Sequence, residues 1–503
     1  MKRGNWAGIL CSMLVVLMAA LLSNCNNSHH GPPPPPPVPV IQNINFATTP
    51  SSAVNWSIEI NGTGFQSAPG QVVFTQGANI VNVVPTVANW TTTGIVVTVP
   101  STGFTVPGTA AVTVVTSGGT SNAQNLSLVS PVTLNTNVVT WTTTTPLPVS
   151  TGVTGYSGLG AVAVPGVAGP PPTAFIVVAG GFDGSNNSTQ VLSNNLNANG
   201  TVGANWATIS TNPLPSSRAH FGMVEADDGN SLVPVGSRFI YVIGGQQTAS
   251  DLPGGTTTVY MASVNSTTGA VGTWSALSST LPASVVGPAV TLYNGHIYVV
   301  GGLDSSGNPS GAVYVAVVNN DGTLGTWATS PNAYPTAVSF ATVFGFSENL
   351  YVVNGDTNSS TTQNLQTVTG TTTVAFAPAH FGSVGAWTST AASVANREKH
   401  DTWHIFDQVI DAEGTYSGTI GTQELEQTTV NSGGMLAAWA GINSGPQQIG
   451  ANVFSGAAIV SPLLSPTSTG VLAPRVLLIG GAAFSASTPG APLSNAVFYN
   501  NAP

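Results

Sequence analysis

The sequence predicts an all-β protein in two parts, a small β-sandwich followed by a ring of six four-stranded sheets. Three observations carry this. The 503 residues include 58 Gly and 36 Pro but only 7 Lys plus Arg and 17 Asp plus Glu, far below the quarter or so of charged residues usual in soluble domains. Short β-branched runs bounded by turn residues recur along the chain, the mark of strands. Tryptophans and paired glycines return at intervals the size of one sheet. Long helices are excluded, because so much Gly and Pro opposes them. Nucleic-acid binding is excluded by the acidic balance, since phosphate recognition needs clustered cations. With hydrophobics at 42%, the chain is too apolar for a disordered class and long enough for two or three cores.

Lys2 and Arg3 precede an apolar run from Ala7 to Ser23, the charged and apolar regions of a secretory signal, so residues 1–24 are set aside as a signal peptide. Leu22-Ser23-Asn24-Cys25 resembles the lipobox of bacterial lipoproteins, which implies that Cys25 is the lipidation site. Asn24 departs from the small residue usual there. An ordinary signal peptide or a short membrane helix is the alternative. Cys11 and Cys25 are the only cysteines, so the remainder holds neither a disulfide nor a cysteine metal site. His29 and His30 read as exposed tether residues, and Pro32 to Pro37 form a stiff polyproline spacer. Residues 25–39 are thus a tether, and the expected location is the bacterial cell envelope, anchored to a membrane or the cell surface, with secretion as the alternative.

Residues 40–130 read as the sandwich. Strands are expected at Trp56 to Ile60, Gln71 to Phe74, Gly94 to Val99, Ala110 to Val115 and Gln124 to Leu128, spaced as in a small antiparallel sandwich. The order Ile58-Glu59-Ile60-Asn61-Gly62-Thr63-Gly64-Phe65, Val72-Val73-Phe74, Trp90-Thr91 through Val99-Pro100, and Ser117-Gly118-Gly119-Thr120 resembles the IPT/TIG immunoglobulin-like family. The resemblance implies a spacer or stacking module.

Residues 131–503 carry a repeat. Apolar strands end in paired glycines at Phe175 to Gly181, Phe239 to Gly245, Ile297 to Gly302 and Val476 to Gly481, with Leu350 to Gly355 a degenerate copy. Unbroken apolar runs imply burial on both faces. A Gly stands five positions before Trp274, Trp327, Trp387 and Trp439. Trp141, Trp206, Trp274, Trp327, Trp387 and Trp439 are separated by 65, 68, 53, 60 and 52 residues. Leu-Pro turns (Leu147, Leu214, Leu281) open successive units, and Val259 to Ala262 and Val313 to Ala316 precede the next Trp. The paired glycines, the following Tyr, the spaced Trp and Arg218 after its Leu-Pro resemble the kelch repeat. Five complete units, a sixth lacking its last strand and an orphan strand at Trp141 predict a six-bladed kelch-like β-propeller closed by that N-terminal Trp strand, which leaves no open sheet edge.

Charge is scarce enough for its clustering to matter. Arg397, Glu398, Lys399, Asp401, Asp407, Asp411, Glu413, Glu424 and Glu426 lie within 30 residues, beside His400 and His404, in the unit lacking paired glycines. Its central strand is expected at Trp403 to Ile410. Arg397, Glu398, His400 and Asp401 are the candidate binding residues, since sites arise where a scaffold departs from its own pattern. A solvated outer hairpin is the competing reading. No metal site is expected, because strand residues four apart place His400 and His404 about 13 Å from each other. Asp321 before Gly322 reads as a turn residue, and Asp227-Asp228-Gly229-Asn230 as a surface loop rather than a calcium loop.

Without a second cysteine in the mature chain, the chemistry of kelch-type copper radical oxidases, which use a Cys crosslinked to Tyr, is excluded. No Gly-x-Ser-x-Gly nucleophile turn is present. The expectation is a monomeric, surface-anchored, non-enzymatic protein without cofactor that binds a polysaccharide or extracellular protein. The alternative is a carbohydrate enzyme of the mutarotase or epimerase type, with an acid/base pair at the mouth of the ring.

Overall fold

The computed structural model describes residues 34–501 except 45–47, 51–55, 101, 105–107, 130–138, 150, 152, 167–173, 198–200, 209–211, 228–230, 249–254, 360–369, 406, 413, 417–424, 432, 442–452, 461–464, 467–471, 474, 486–487 and 493–495. The signal peptide, Cys25, His29 and His30 lie outside the described residues. Contacts divide the chain into Met1–Pro37 and Val38–Pro503, and every strand among the described residues belongs to the second unit. The fold is all-β, with one short 3-10 helix, Val87–Asn89, among the described residues.

The first part has two sheets around one core. Val40–Ile44, Trp56–Thr63 and Gly94–Val99 form one, and a six-stranded sheet containing Gln71–Gln76, Gly108–Thr116 and Gln124–Val129 forms the other. Ile58, Ile60, Phe65, Phe74, Val112 and Leu126 fill the space between them, each fully buried. The Gly-Thr-Gly-Phe turn has a direct cause. Gly64 takes φ +74°, a left-handed conformation open to glycine, and Trp90 Nε1 then donates to the carbonyls of Phe65 at 3.1 Å and Gln66 at 3.0 Å.

Six further sheets of four or five strands follow, numbered by their first strands: Gly160–Pro165, Gly222–Asp227, Ala289–Tyr293, Thr342–Phe346, Asp401–Ile405 and Val453–Val460. The second strands of sheets one to four, Ala174–Ala179, Arg238–Ile243, His296–Val300 and Asn349–Val353, are the glycine-ended runs, and almost all their residues are buried. Each core lies between two sheets. Val177 of the first packs with Ile240 and Val242 of the second, Tyr241 and Ile243 of the second with Ile297 of the third, and Tyr298 and Val300 of the third with Leu350 of the fourth. Tyr351 of the fourth packs with Val409 of the fifth, and Leu477 and Ile479 of the sixth with Ile176 and Val178 of the first. The first strands touch in the same order, from the first sheet to the sixth and back to the first. The sixth sheet takes its fourth strand from Val139–Thr143, antiparallel to Ala496–Asn501, with Trp141 opposite Tyr499.

The repeated residues hold neighbouring sheets together. Indole N–H groups of Trp206, Trp327, Trp387 and Trp439 donate to the carbonyls of Thr145, Ser279, Asn332 and Ala391 in the loop leaving the preceding sheet. The glycine five positions before Trp lets its turn pass through positive φ, as at Gly322 (+82°) and Gly434 (+77°). Their carbonyls accept from the hydroxyls of Tyr241 and Tyr351, each at 2.7 Å.

The fifth unit corrects the expected strand Trp403 to Ile410. Two strands stand there, Asp401–Ile405 and Gln408–Ala412, paired antiparallel with Trp403 opposite Ile410. The turn falls at Asp407, a polar residue inside the apolar run.

Candidate functional site

One backbone feature recurs where the first strands begin. Gly158, His220, Gly287, Phe340 and Lys399 all adopt left-handed φ, between 52° and 60°. His220 N–H donates to the Gly158 carbonyl at 2.8 Å, Gly287 to His220 at 2.8 Å, Phe340 to Gly287 at 2.7 Å and Lys399 to Phe340 at 3.1 Å. Five sheets are thereby linked residue to residue. A non-glycine residue resists this conformation, so the links with neighbouring sheets hold His220, Phe340 and Lys399 in place.

Their side chains converge. The rings of His220 and Phe340 meet edge to face at 5.5 Å, and Lys399 Nζ lies 4.6 Å from the centre of the Phe340 ring. Glycine at the two remaining positions makes room, since a Cβ on Gly158 would fall 2.5 Å from the His220 ring and one on Gly287 2.5 Å from the Phe340 ring. Beside these three side chains is a cavity of about 250 Å³, lined also by Met223, Val290, Thr342 and Asp401. Burial, then the Lys399 charge, lowers the His220 imidazole to about 4, leaving it neutral at physiological pH.

The charged stretch surrounds Lys399. Arg397, Glu398, Lys399 and His400 are all buried, which overturns the solvated-hairpin reading. Such charges persist in an interior only when paired. Arg397 is wholly enclosed, its NH2 nitrogen 3.2 Å from Glu426 Oε1 and its Nε 3.8 Å from Asp411 Oδ2. Asp411 Oδ1 meets His400 Nδ1 at 2.5 Å and accepts from Thr402 Oγ1 at 3.0 Å, while Oδ2 accepts from Asn354 Nδ2 at 3.1 Å. Glu426 also accepts the backbone N–H groups of Val394 and Ala395, both at 2.8 Å. Burial raises the Glu426 carboxyl, and Arg397 opposes that rise.

Nearer the cavity, Lys399 Nζ donates to Glu398 Oε1 at 3.0 Å. Asp356, following the degenerate glycine pair Asn354-Gly355, has its carboxyl raised to about 7 by burial first and then by its hydrogen bond to, and the negative charge of, Glu398. The four residues singled out in the sequence therefore divide. His400 and Asp401 line the cavity, but the His400 imidazole is turned into the Asp411 network with its side chain fully buried. Glu398 pairs with Lys399, while Arg397 belongs to the Glu426 and Asp411 network.

Sequence reasoning missed His220, Phe340 and Asp356, and passed over Lys399 inside the charged stretch it singled out. A signal existed, because His220, Gly287 and Phe340 each stand six positions after the first residue of a Leu-Pro or Tyr-Pro turn. The position escaped notice because its residue type changes from unit to unit. Asp183 and Asp304, in the loops after the glycine pairs, bond their own turns through Ser185, Asn186, Ser306 and Asn308 backbone N–H groups. Asp321 does the same for Thr323 at 2.9 Å, as expected of a turn residue.

Scanned against protein-family models and against curated proteins, the chain matches none of them.

Proposed function

We propose that the six sheets are the blades of a kelch-like propeller carried on an immunoglobulin-like sandwich of IPT/TIG type, and that the chain is a cell-envelope receptor for a polysaccharide, anchored through Cys25. One observation carries the binding reading: His220, Phe340 and Lys399, from three different sheets, meet beside one cavity. An aromatic ring, a neutral imidazole and an ammonium supply the apolar face and the few convergent polar groups that small-ligand sites use. Glu398 holds the Lys399 ammonium in position, so the site is organised before ligand arrives.

A glycan array on the protein, run beside Lys399→Met and Phe340→Ala, tests this. The expected result is recognition of a defined saccharide class that both variants lose at least about tenfold, a loss near 1.4 kcal/mol. An array without any bound glycan, or binding unchanged in both variants, contradicts it, and binding to a protein partner alone moves the site elsewhere.

A second reading has its own support. A carboxyl near 7 is suited to give and take protons at neutral pH, and Asp356 is such a group beside Glu398 and Lys399. Mutarotation or epimerisation of a sugar would use Asp356, behind Lys399 and outside the cavity lining, as the acid/base. Anomeric exchange of free aldoses, followed by magnetisation transfer, should be accelerated by the protein and return to the uncatalysed rate in Asp356→Asn. No acceleration of any aldose leaves the binding reading alone.

A further inference from the structure

The sandwich meets the third and fourth sheets through two buried carboxyl groups. Glu59, on the Trp56–Thr63 strand, is 1% exposed, and Glu348, in the hairpin between Thr342–Phe346 and Asn349–Val353, is 3% exposed. Glu59 Oε2 accepts from the Phe381 backbone N–H at 3.2 Å and faces Asn294 Nδ2 at 3.5 Å. The same amide donates to both oxygens of Glu348 at 3.1 Å. One side-chain amide therefore serves two carboxyls from separate parts of the chain. Beside them the Trp56 and Phe346 rings meet edge to face at 4.3 Å, and Ser57 N–H donates to Ser347 Oγ at 3.2 Å.

Of the other titratable groups described here, His380 alone opposes the rise of the two carboxyls. Tyr293 and Tyr298 are neutral phenols, raised by burial and by the carboxyls, and the Tyr293 hydroxyl accepts the Glu348 backbone N–H. His296 bonds the Asn294 carbonyl through Nδ1, and burial lowers its imidazole toward neutrality. Asn61 adds a neutral hydrogen bond to Glu59. His380, a third exposed, places Nδ1 3.1 Å from Glu348 Oε2, and its hydrogen bond and charge pull that carboxyl down against the larger effect of burial. Lys and Arg residues do not figure among the groups that set the two carboxyls. Two carboxylates this close in an interior cannot both ionise without strong repulsion, and one proton retained between them removes it.

We propose that this joint is a proton-operated latch, which holds the sandwich against the third and fourth sheets while the Glu59–Glu348 pair keeps a proton and loosens when both carboxyls ionise. Burial, then the charge of Glu348, raises Glu59 from 4.5 to about 8. The docked state therefore binds more protons than the separated one between those values. Its advantage is complete below the lower value and is lost as pH rises through the upper one. Over that window the latch tightens on acidification, a device by which an envelope protein could change the presentation of its ring with external pH.

Amide hydrogen exchange on the whole mature protein at pH 6 and pH 9, corrected for intrinsic exchange, reads the latch at the N–H groups of Phe381 and Ser57. Protection of both should fall at the higher pH by at least about tenfold more than that of the Arg238–Ile243 strand, the equivalent of one pKa unit. Glu59→Gln, or Glu348→Gln should the first variant fail to fold, keeps the hydrogen-bond acceptor and removes the ionisation, so this fall should vanish. Protection independent of pH in the parent, or an undiminished fall in a folded variant, overturns the proposal.

Discussion

Arg397 shows what a single residue can require of its surroundings. Its guanidinium is fully enclosed and shares two carboxylates, Glu426 and Asp411, with backbone amides, Thr402 and the His400 imidazole. Removing one member of a buried ion pair leaves the others uncompensated, at a cost of about 3–5 kcal/mol. Arg397→Met should therefore unfold at a much lower temperature, in a thermal melt followed by circular dichroism. Lys399→Met differs, because its ammonium borders the cavity and its ion pair is with Glu398 alone among the described residues, and a smaller loss of stability with loss of ligand is expected. A melt of Arg397→Met indistinguishable from the parent would return the stretch to a surface role. The sequence showed the cluster but not its burial, since nine charges in 30 residues look alike whether they neutralise one another inside a core or face water.

At the scale of elements, positive-φ turns do much of the organising. Gly322 stands at φ +82°, its carbonyl accepts from the Tyr241 hydroxyl, and an added Cβ would lie 2.5 Å from the Phe239 ring. Gly322→Ala thus combines backbone strain with a collision between adjacent sheets, and should cost about 1–3 kcal/mol. Chemical denaturation reads this as a lower midpoint with unchanged slope. An unchanged midpoint would mean that the turn relaxes freely. Such glycines were legible in the sequence because they recur at a fixed distance from Trp, as were the apolar second strands. The five left-handed residues beside the cavity were not, because interstrand hydrogen bonds and not residue type select that position: Gly, His, Gly, Phe and Lys occupy it in turn. The fifth-unit hairpin was misplaced for a related reason, since Trp403 to Ile410 is apolar enough to pass for one strand once its glycine pair is gone.

For the whole molecule, buried acids set the dependence on pH. Glu59 rises from 4.5 to about 8 and Asp356 from 3.8 to about 7, while burial also raises Glu348 and Glu426. Each binds more protons folded than unfolded, so its contribution is whole below the ordinary value and is lost as pH climbs through the raised one. His220, lowered from 6.5 to about 4, opposes them by withdrawing stability as pH falls through that interval. Burial raises Asp407 and lowers His296 as well, so five acids stand against two imidazoles, and the melting temperature should be higher near about pH 5.5 than near about pH 8.5. A rise across the same interval would mean that these carboxyls are ionised in the folded protein. The central claim, that the six sheets close into a ring through Val139–Thr143, is tested most directly by crosslinking. Thr142 faces Phe498 in the antiparallel register, and facing residues stand about 4.5–5.5 Å apart at Cα, within disulfide reach. With Cys11 and Cys25 as the only native cysteines, a Thr142→Cys, Phe498→Cys chain should oxidise to one intramolecular disulfide, found by mass spectrometry of chymotryptic peptides. Thr142→Cys with Asn500→Cys, two residues out of register, should not. Failure of the first pair, or equal oxidation of both, would contradict the closed ring.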